Sequence, residues 1–224
     1  MRLHLSALVV SLVASSGFSG CASQRPMRGY ATYLAHMPRS IVVLPPRNHS
    51  TDPDAGTHYV PTITRPLAEL GYYVFPIPIV DQALREQGAR DVDAMSATPP
   101  ATLVELFGAD AAFYTTVEEW GFDPLVLQSR VAVAWRLVDL RSGLELWSGR
   151  ASRRSIPVSP FAGWGSLLHL IAVGFVEEIA PAPLVGEPQD AVVDHANEAL
   201  GRPGGLLMGP LHPEYRHAAE TAGR

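Results

Sequence analysis

Few side chains in this 224-residue chain could do chemistry, and one of them is unique. Cys21 is the sole cysteine, so the chain cannot form an internal disulfide. Four potential metal ligands, His49, Asp52, Asp54 and His58, occur together in "HSTDPDAGTH". Their spacing matches no metal motif, and the surrounding Pro, Asp and Gly are typical of a solvated loop. We therefore predict no metal site and no bound cofactor.

Two adjacent acidic pairs, Glu118–Glu119 and Glu177–Glu178, are the other candidates for acid–base chemistry. Neighbouring residues on a strand point to opposite faces, so we expect one exposed carboxylate and one paired or rim carboxylate in each pair. The nucleophile elbow, the phosphate-binding loop and the dinucleotide glycine pattern do not occur. The sequence predicts no catalytic residue, and a hydrolase is the least favoured functional class.

The segment before Cys21 has the features of a targeting signal. Arg2 and His4 precede the apolar run Leu5–Val13, which is shorter than the ~20 residues that a lasting transmembrane helix needs. Small residues then lead to the cysteine. Charge, apolar core and small residues follow one another in the order of a signal peptide. We therefore predict that residues 1–20 are a signal peptide.

The four residues "FSGC" resemble the bacterial lipobox, with Phe18 at the position where Leu is usual. The resemblance implies cleavage before Cys21, a thioether-linked diacylglycerol on its sulfur and an acylated amine. Several acyl chains would give a stable membrane anchor. Because Ala22 rather than Asp follows the cysteine, we expect the outer membrane, on its periplasmic face. An ordinary signal peptide with a chance cysteine is the alternative.

Composition limits the possible partners. Removal of residues 1–20 takes away Arg2 and leaves 16 basic against 22 acidic residues, a net charge of about −6. Nucleic-acid binding needs a basic stripe, so this class is disfavoured. Hydrophobic residues make up 47% of the chain and charged residues 17%, which is enough to build a buried core. The length fits one domain with extensions.

Composition also divides the mature chain into three parts. We predict an acylated flexible tether at residues 21–38, an α/β domain at residues 39–180 and a Pro/Gly-rich C-terminal extension at residues 181–224. A weak helix, about Gln189 to Leu200, is predicted within the extension.

The central part predicts an α/β fold with a mixed β-sheet in the order β-α-β-α-α-β-β-β-α. The first two strands, joined through a helix, should be parallel, and the last three should form an antiparallel meander. A turn at Ser142–Gly143 indicates a hairpin, in which the Asp139 carboxylate can cap turn amides. Trp135 and Trp147 should pack on adjacent strands, whereas Trp120 lies at a strand end and could be an exposed contact. The predicted segments are "SIVVLPP", "YYVFPIPIV", "DAAFYTTVEEWGF", "LVLQSRVAVAWRLVDLRSG" and "RSGLELWSGRAS" as strands, and "YVPTITRPLAELG", "VDQALREQG", "PPATLVELFG" and "GWGSLLHLIAVGFVEEIA" as helices.

Four blocks, "IVVLPPRNHS", "RPLAELGYYVFP", "LFGADAAFY" and "LVDLRSGLELWSG", resemble a family of bacterial lipoproteins of unknown function that includes a Neisseria genome-derived antigen. The resemblance covers roughly Ser40 to Gly149. It implies a fold like the N-terminal domain of TolB, the penicillin-binding-protein activator lipoprotein and the curli secretion lipoprotein. It also implies an envelope adaptor or secretion component without catalytic residues.

We therefore expect a non-catalytic accessory lipoprotein of an envelope machine for secretion, transport or peptidoglycan assembly, bound to an envelope protein or to copies of itself. The apolar run Leu167–Val176 should cover the sheet or contact such a partner. A ligand-binding or sensing lipoprotein is the alternative, and a deep pocket lined by Tyr72, Phe75 and Trp135 would favour it.

Overall fold

The computed structural model describes residues 30–123, 125, 128–155 and 189–215. Cys21, the predicted signal peptide, the pair Glu177–Glu178 and the apolar run Leu167–Val176 lie outside the described residues. The elements are α1 (Tyr30–His36), β1 (Ser40–Val43), β2 (Arg47–Asn48), α2 (Ala55–Glu69), β3 (Tyr73–Val74), α3 (Ile77–Glu86), α4 (Val92–Ser96), α5 (Pro100–Phe107), β4 (Ala111–Asp123), β5 (Gln128–Asp139), β6 (Glu145–Arg154) and α6 (Gln189–Asn197), which a 3₁₀ turn (Glu198–Gly201) follows.

The strands form one mixed sheet in the order β3-β1-β4-β5-β6, with β2 beside β4. β1 lies parallel to both β3 and β4, whereas β4, β5 and β6 form an antiparallel meander. The predicted α/β class and mixed sheet are therefore confirmed. The chain runs from β1 outward to β3 and then back across β1 to β4. Because both crossovers are right-handed in such sheets, α2 and the helices α3 to α5 lie on opposite faces.

Two hydrophobic cores fill the two faces of the sheet. On the first face, α1, α2 and α6 pack on the strands, and Tyr59 and Trp135 are at the centre of this core. On the second face, α3, α4 and α5 cover the parallel strands, with Leu84 and Leu103 against Val42. Alternate residues of β1 enter opposite cores, as the period-two geometry of a strand requires.

Two predicted domain boundaries differ from the structure. The tether predicted at residues 21–38 contains helix α1, whose Tyr33 has no solvent exposure and whose hydroxyl hydrogen-bonds to that of Tyr72. The extension predicted at residues 181–224 contains α6, which buries Val192 and Val193 in the first core. Both segments are polar on average and carry their apolar residues on one face only, so mean composition did not identify them as core.

The second strand is shorter than predicted. Only Tyr73 and Val74 pair with β1, and α3 begins at Ile77. Pro76 precedes the helix and Pro78 lies in its first turn, where a missing N–H is tolerated. Prolines that we interpreted as the end of a strand therefore mark the start of a helix.

The predicted helical segments "YVPTITRPLAELG" and "PPATLVELFG" end in glycines, and the predicted hairpin turn is present. Gly71 follows α2 with φ +87°, and Gly108 ends α5 with φ +61°. In the β5–β6 hairpin, one carboxylate oxygen of Asp139 accepts hydrogen bonds from the amides of Arg141 and Ser142, at 3.2 and 2.7 Å, and from the Ser142 hydroxyl at 2.7 Å. The predicted capping role of Asp139 is therefore confirmed.

Candidate functional site

A cleft of about 1060 Å³ opens where β1 and β3 end. The chain leaves these two parallel neighbours towards opposite faces of the sheet, to α2 after β1 and to α3 after β3. Such a topological switch point leaves a crevice beyond the carboxyl ends of the strands, and ligands of open α/β sheets bind in crevices of this kind. The cleft is therefore the candidate functional site.

The walls of the cleft are mostly apolar. One wall comes from the segment after β1 and the first half of α2, and the facing wall comes from α3 and the segment that leads into α4. Gly56 allows α2 to approach the segment after β1, because a Cβ there would lie 3.3 Å from the Pro46 carbonyl oxygen. The apolar lining residues are Val43, Pro45, Pro46, Pro53, Val60, Pro61, Ile77, Pro78, Val80, Val92 and Met95.

Most charged groups around the cleft already have partners. Arg47 lies 3.6 Å from Asp93, and Arg85 lies 2.7 Å from Asp81 one turn earlier on α3. The Asp91 carboxylate caps α4 by accepting a hydrogen bond from the Ala94 amide at 2.8 Å.

Arg90 is the exception, because among the described residues it forms no ion pair and no side-chain hydrogen bond. The cleft therefore offers one guanidinium whose donors are available.

Helix α2 contains two internal prolines, and each removes the amide that would donate to the carbonyl four residues earlier. Pro66 frees the Thr62 carbonyl, which accepts a hydrogen bond from Asn197 Nδ2 at 3.3 Å. Pro61 frees the Thr57 carbonyl, and both Thr57 and Pro61 line the cleft.

The side of α2 that carries Thr62 is closed by a buried polar network. Trp135 Nε1 donates to the Tyr59 hydroxyl at 2.8 Å, and that hydroxyl donates to Asn197 Oδ1 at 2.7 Å. Burial raises the pKa of Tyr59 well above its usual value, although the Trp135 hydrogen bond opposes the shift. The hydroxyl therefore stays neutral and keeps its proton for Asn197. This network joins α2, β5 and α6, so its role is structural.

The four residues of the predicted loop do not converge on a metal site. Asp52 accepts a hydrogen bond from the Asp54 amide at 2.9 Å, and the imidazole of His58 stacks on Trp120 with ring centroids 6.4 Å apart. His49 lies at the rim of the cleft. Within residues 30–123, 125, 128–155 and 189–215, no three His, Cys, Asp or Glu side chains lie close enough together to hold a metal ion.

The prediction for Glu118 and Glu119 was wrong. A β-bulge after Val117 shifts the register, so both carboxylates lie on the same face of the sheet. Glu118 pairs with Arg150 at 2.7 Å, and Glu119 pairs with Arg154 at 3.1 Å. Both are partners in surface ion pairs.

The three aromatic residues whose common pocket would have favoured a ligand-binding lipoprotein do not line one pocket. Tyr72 and Trp135 are buried in the first core, whereas Phe75 packs on Phe107 in the second. Trp135 stacks on Trp147 across neighbouring strands, as predicted, with centroids 6.3 Å apart. Trp120 is only 9% exposed and belongs to the first core, so the expected exposed contact is wrong.

The sequence analysis did not identify the residues of the cleft. Arg90 stands in a short polar connection, and Thr57 carries no functional group that suggests a site. One signal was available, because each of two prolines inside a segment of helical spacing removes the amide that would donate to the carbonyl four residues earlier. Fold topology is needed to place one of these carbonyls in a crevice.

Comparisons with known proteins identify the relatives of this chain. Residues 28–211 match the family model "Putative lipoprotein GNA1162-like". The Neisseria meningitidis "Putative lipoprotein NMB1124/NMB1162" is 37% identical over 176 residues, which cover 77% of this chain and 80% of that protein. No helix among the described residues is both long enough and apolar enough to cross a membrane.

Two solved structures are similar to the fold. The crystal structure of lipoprotein GNA1162 from N. meningitidis superposes with a TM-score of 0.51 at 36% identity, over 63% of this chain and 99% of that chain. The C-terminal domain of LpoB from Escherichia coli has a TM-score of 0.38 at 13% identity, over 56% of this chain and 96% of that chain. The matched family model spans most of the described residues, and this chain therefore belongs to the GNA1162-like lipoprotein family.

Proposed function

We propose that the protein is a lipid-anchored accessory component of the cell envelope that acts by binding and not by catalysis. Membership of a lipoprotein family is the observation that carries the proposal. The anchor is a diacylglycerol on the sulfur of Cys21 after removal of residues 1–20. We place it in the outer membrane, on the periplasmic face, because Ala22 follows the cysteine.

The packing of α1 gives the anchor a short reach. Eight residues separate Cys21 from Tyr30, where α1 begins. At ~3.3–3.6 Å per residue they span at most roughly 30 Å. The folded domain is thereby held beside the membrane, which raises its effective concentration towards envelope partners.

The cleft supports a binding role. Its walls are apolar, and its carboxylates are engaged by arginines or by a helix amide. Apolar walls with a few polar groups are typical of sites that hold a ligand. The same cleft favours a second candidate function, a ligand-binding or sensing lipoprotein.

Site-specific photo-crosslinking in the native envelope tests this proposal. Val92 lies at the cleft and is 40% exposed, whereas Leu144 lies on the β5–β6 hairpin and is 47% exposed. A photoreactive residue at position 92 should capture an envelope protein, and the same residue at position 144 should not. A small-molecule adduct at position 92 would favour the sensing candidate instead. Absence of any adduct at position 92 would contradict binding through the cleft.

The non-catalytic role has its own test. Replacement of His49 and His58 together by Ala should leave the fold and the cellular role intact, because His49 lies in a loop and His58, on α2, stacks on Trp120 rather than joining His49 in a polar site. Loss of the cellular role in a folded double variant, measured by complementation of a deletion strain, would contradict the proposal.

A further inference from the structure

We propose that one end of the β-sheet lies on the membrane and binds its anionic phospholipid headgroups. The inference goes beyond the binding role of the cleft and rests on the proposed function only through the lipid anchor at Cys21. The end concerned is the one where β1, β3 and β4 begin and where the β5–β6 hairpin turns. Five exposed residues there define what we call the basal surface: Arg39, Tyr73, Arg141, Leu144 and Leu211.

The two arginines of the basal surface are joined through one carboxylate. The Arg39 carbonyl accepts a hydrogen bond from the Tyr73 amide at 2.9 Å, and the Arg39 amide donates to one Asp110 oxygen at 3.0 Å. The other Asp110 oxygen lies 3.4 Å from the Arg141 guanidinium. These contacts place Tyr73, Arg39 and Arg141 on neighbouring strand ends, which are ~4.8 Å apart in a sheet.

The two leucines lie on either side of this group. The Leu144 carbonyl accepts from the amide of Asp139, the last residue of β5, at 2.9 Å. The Leu211 amide donates to the Gly71 carbonyl at 3.0 Å, two residues before Tyr73. The basal surface therefore crosses the end of the sheet from β3 to the β5–β6 hairpin.

The chemistry of the basal surface suits a membrane interface. Tyr73, Leu144 and Leu211 are 52%, 47% and 69% exposed, and tyrosine rings and apolar side chains favour the boundary between headgroups and acyl chains. Among the described residues Arg39 forms no ion pair, and Arg141 pairs only with Asp110. Arginines at such a surface are attracted to anionic headgroups.

The anchor leaves the domain close to the basal surface. Helix α1 rises only about 10 Å from Tyr30 to His36, and three residues then lead to the start of β1. The eight residues between Cys21 and Tyr30 include Arg25 and Arg28 and no acidic residue. The chain next to the anchor therefore has the positive charge that an anionic leaflet attracts.

The opposite end of the sheet fits the anchor less well, although Phe122 and Leu125 are exposed on the β4–β5 hairpin there. Strand β5 has 12 residues, so this hairpin lies about 40 Å from the basal surface. A membrane contact there would require most of the extension of a tether that spans at most roughly 30 Å. The cleft opens where β1 and β3 end, so the proposed orientation directs it away from the membrane.

Quenching of a fluorophore by labelled lipid tests the orientation. The mature acylated protein is reconstituted into vesicles of phosphatidylethanolamine and phosphatidylglycerol that contain a nitroxide-labelled lipid. A fluorophore on Leu144→Cys or Leu211→Cys should be quenched about threefold more strongly than one on Phe122→Cys, because only the first two enter the interface. Equal quenching at the two ends, or stronger quenching at position 122, would overturn the proposal.

A matched pair of arginines tests the headgroup contact. Arg153 also forms no ion pair among the described residues, and it lies on β6 opposite Val131, towards the other end of the sheet. Arg39→Glu should lower quenching at position 144 about threefold, whereas Arg153→Glu should not change it. The effect should vanish when phosphatidylcholine replaces phosphatidylglycerol. Unchanged quenching in a folded Arg39→Glu variant, or an equal loss in the uncharged vesicles, would overturn the role of headgroup charge.

Two further outcomes separate this inference from the proposed function. Capture of an envelope protein by a photoreactive residue at position 144 would overturn the lipid contact. Acylated protein that floats with the vesicles but is quenched equally at both ends would remove only the orientation. A mature chain without acyl groups would remove the anchored function as well.

Discussion

Helix α2 contributes to two regions of the molecule. One is the cleft, near Pro61, and the other is the C-terminal contact region, in which Asn197 and residues 209–212 pack near Pro66 and Gly71. In the C-terminal contact region, Asn197 reaches the freed carbonyl and joins a network with Tyr59 and Trp135. On the other side, Pro61 has no amide to donate to the Thr57 carbonyl, and both residues line a crevice of about 1060 Å³. The chain itself supplies a donor beside Pro66, whereas an open crevice lies beside Pro61. The C-terminal contact region joins α2, β5 and α6 within the folded core, and the cleft is the region through which we propose that a partner binds.

Replacing one valine in each region by Asp should give the largest difference in the free energy of unfolding. Val193 is fully buried on α6, whereas Val92 lines the cleft and is 40% exposed. Val193→Asp leaves an unpaired buried charge and should lower the free energy of unfolding by about 3–5 kcal/mol. Val92→Asp should change it by less than about 0.5 kcal/mol. Urea denaturation followed by circular dichroism measures both, and equal effects would remove the distinction.

Glycine substitutions test how closely the C-terminal contact region is packed. Gly71 has φ +87°, and a Cβ there would lie 2.8 Å from His212 Cα. Gly71→Ala should cost about 2–3 kcal/mol, from backbone strain together with that clash. Gly88 has φ +92° with no atom near its Cβ position, so Gly88→Ala should cost only about 1 kcal/mol. Similar melting temperatures for the two variants would show that residues 209–212 do not pack on this turn.

The Tyr59 hydroxyl tests the buried network directly. Tyr59→Phe leaves the Trp135 indole N–H without its acceptor and Asn197 Oδ1 without its donor. Unsatisfied buried groups of this kind should cost about 1–3 kcal/mol. Tyr73→Phe, at a 52% exposed tyrosine, should be neutral. Chemical denaturation of both variants measures the difference, and a neutral Tyr59→Phe would contradict the structural role of the network.

The Asp139 carboxylate gives the smallest effect and lies outside both regions. Burial alone raises the pKa of Asp139, but hydrogen bonds from Ser142 and Arg141 outweigh it and hold the pKa below the usual value. The carboxylate therefore contributes stability above the unfolded pKa of about 3.9, and this is lost as the pH falls through the lower folded pKa.

Asp139→Asn should accordingly cost about 1 kcal/mol at neutral pH and less at acidic pH. Denaturation curves at pH 7 and pH 3 check the sign. A cost that grows towards acidic pH would contradict the capping role of the charged form.

Local signals were sufficient for much of the fold. Strand alternation predicted the β4–β6 meander, and Gly108 predicted the end of α5. The position of Asp139 just before the Ser142–Gly143 turn predicted the hydrogen bonds that its carboxylate accepts. Each of these features depends on residues that are neighbours in sequence. The bulge that places Glu118 beside Glu119 on one face depends on pairing with β5, which no local pattern encodes.

Long-range contacts explain the remaining errors. The hydroxyl of the buried Tyr33 hydrogen-bonds to that of Tyr72, 39 residues along the chain, and the Tyr72 hydroxyl donates to the Leu207 carbonyl, 135 residues further on. The cleft depends on the order of β1 and β3 in the sheet and on the opposite directions of the chain after them. Residue types such as Thr57 and Arg90 become informative only after that topology is known.

The intact mass of the mature chain, extracted from outer-membrane fractions, tests the anchored function most directly. We predict a chain that begins at Cys21 and carries a thioether-linked diacylglycerol and one further acyl group. Cys21→Ser should abolish acyl labelling and leave the signal peptide uncleaved by the lipoprotein peptidase. A mature wild-type chain that begins at another residue, or a free Cys21 thiol that reacts with maleimide, would contradict a lipid-anchored envelope protein.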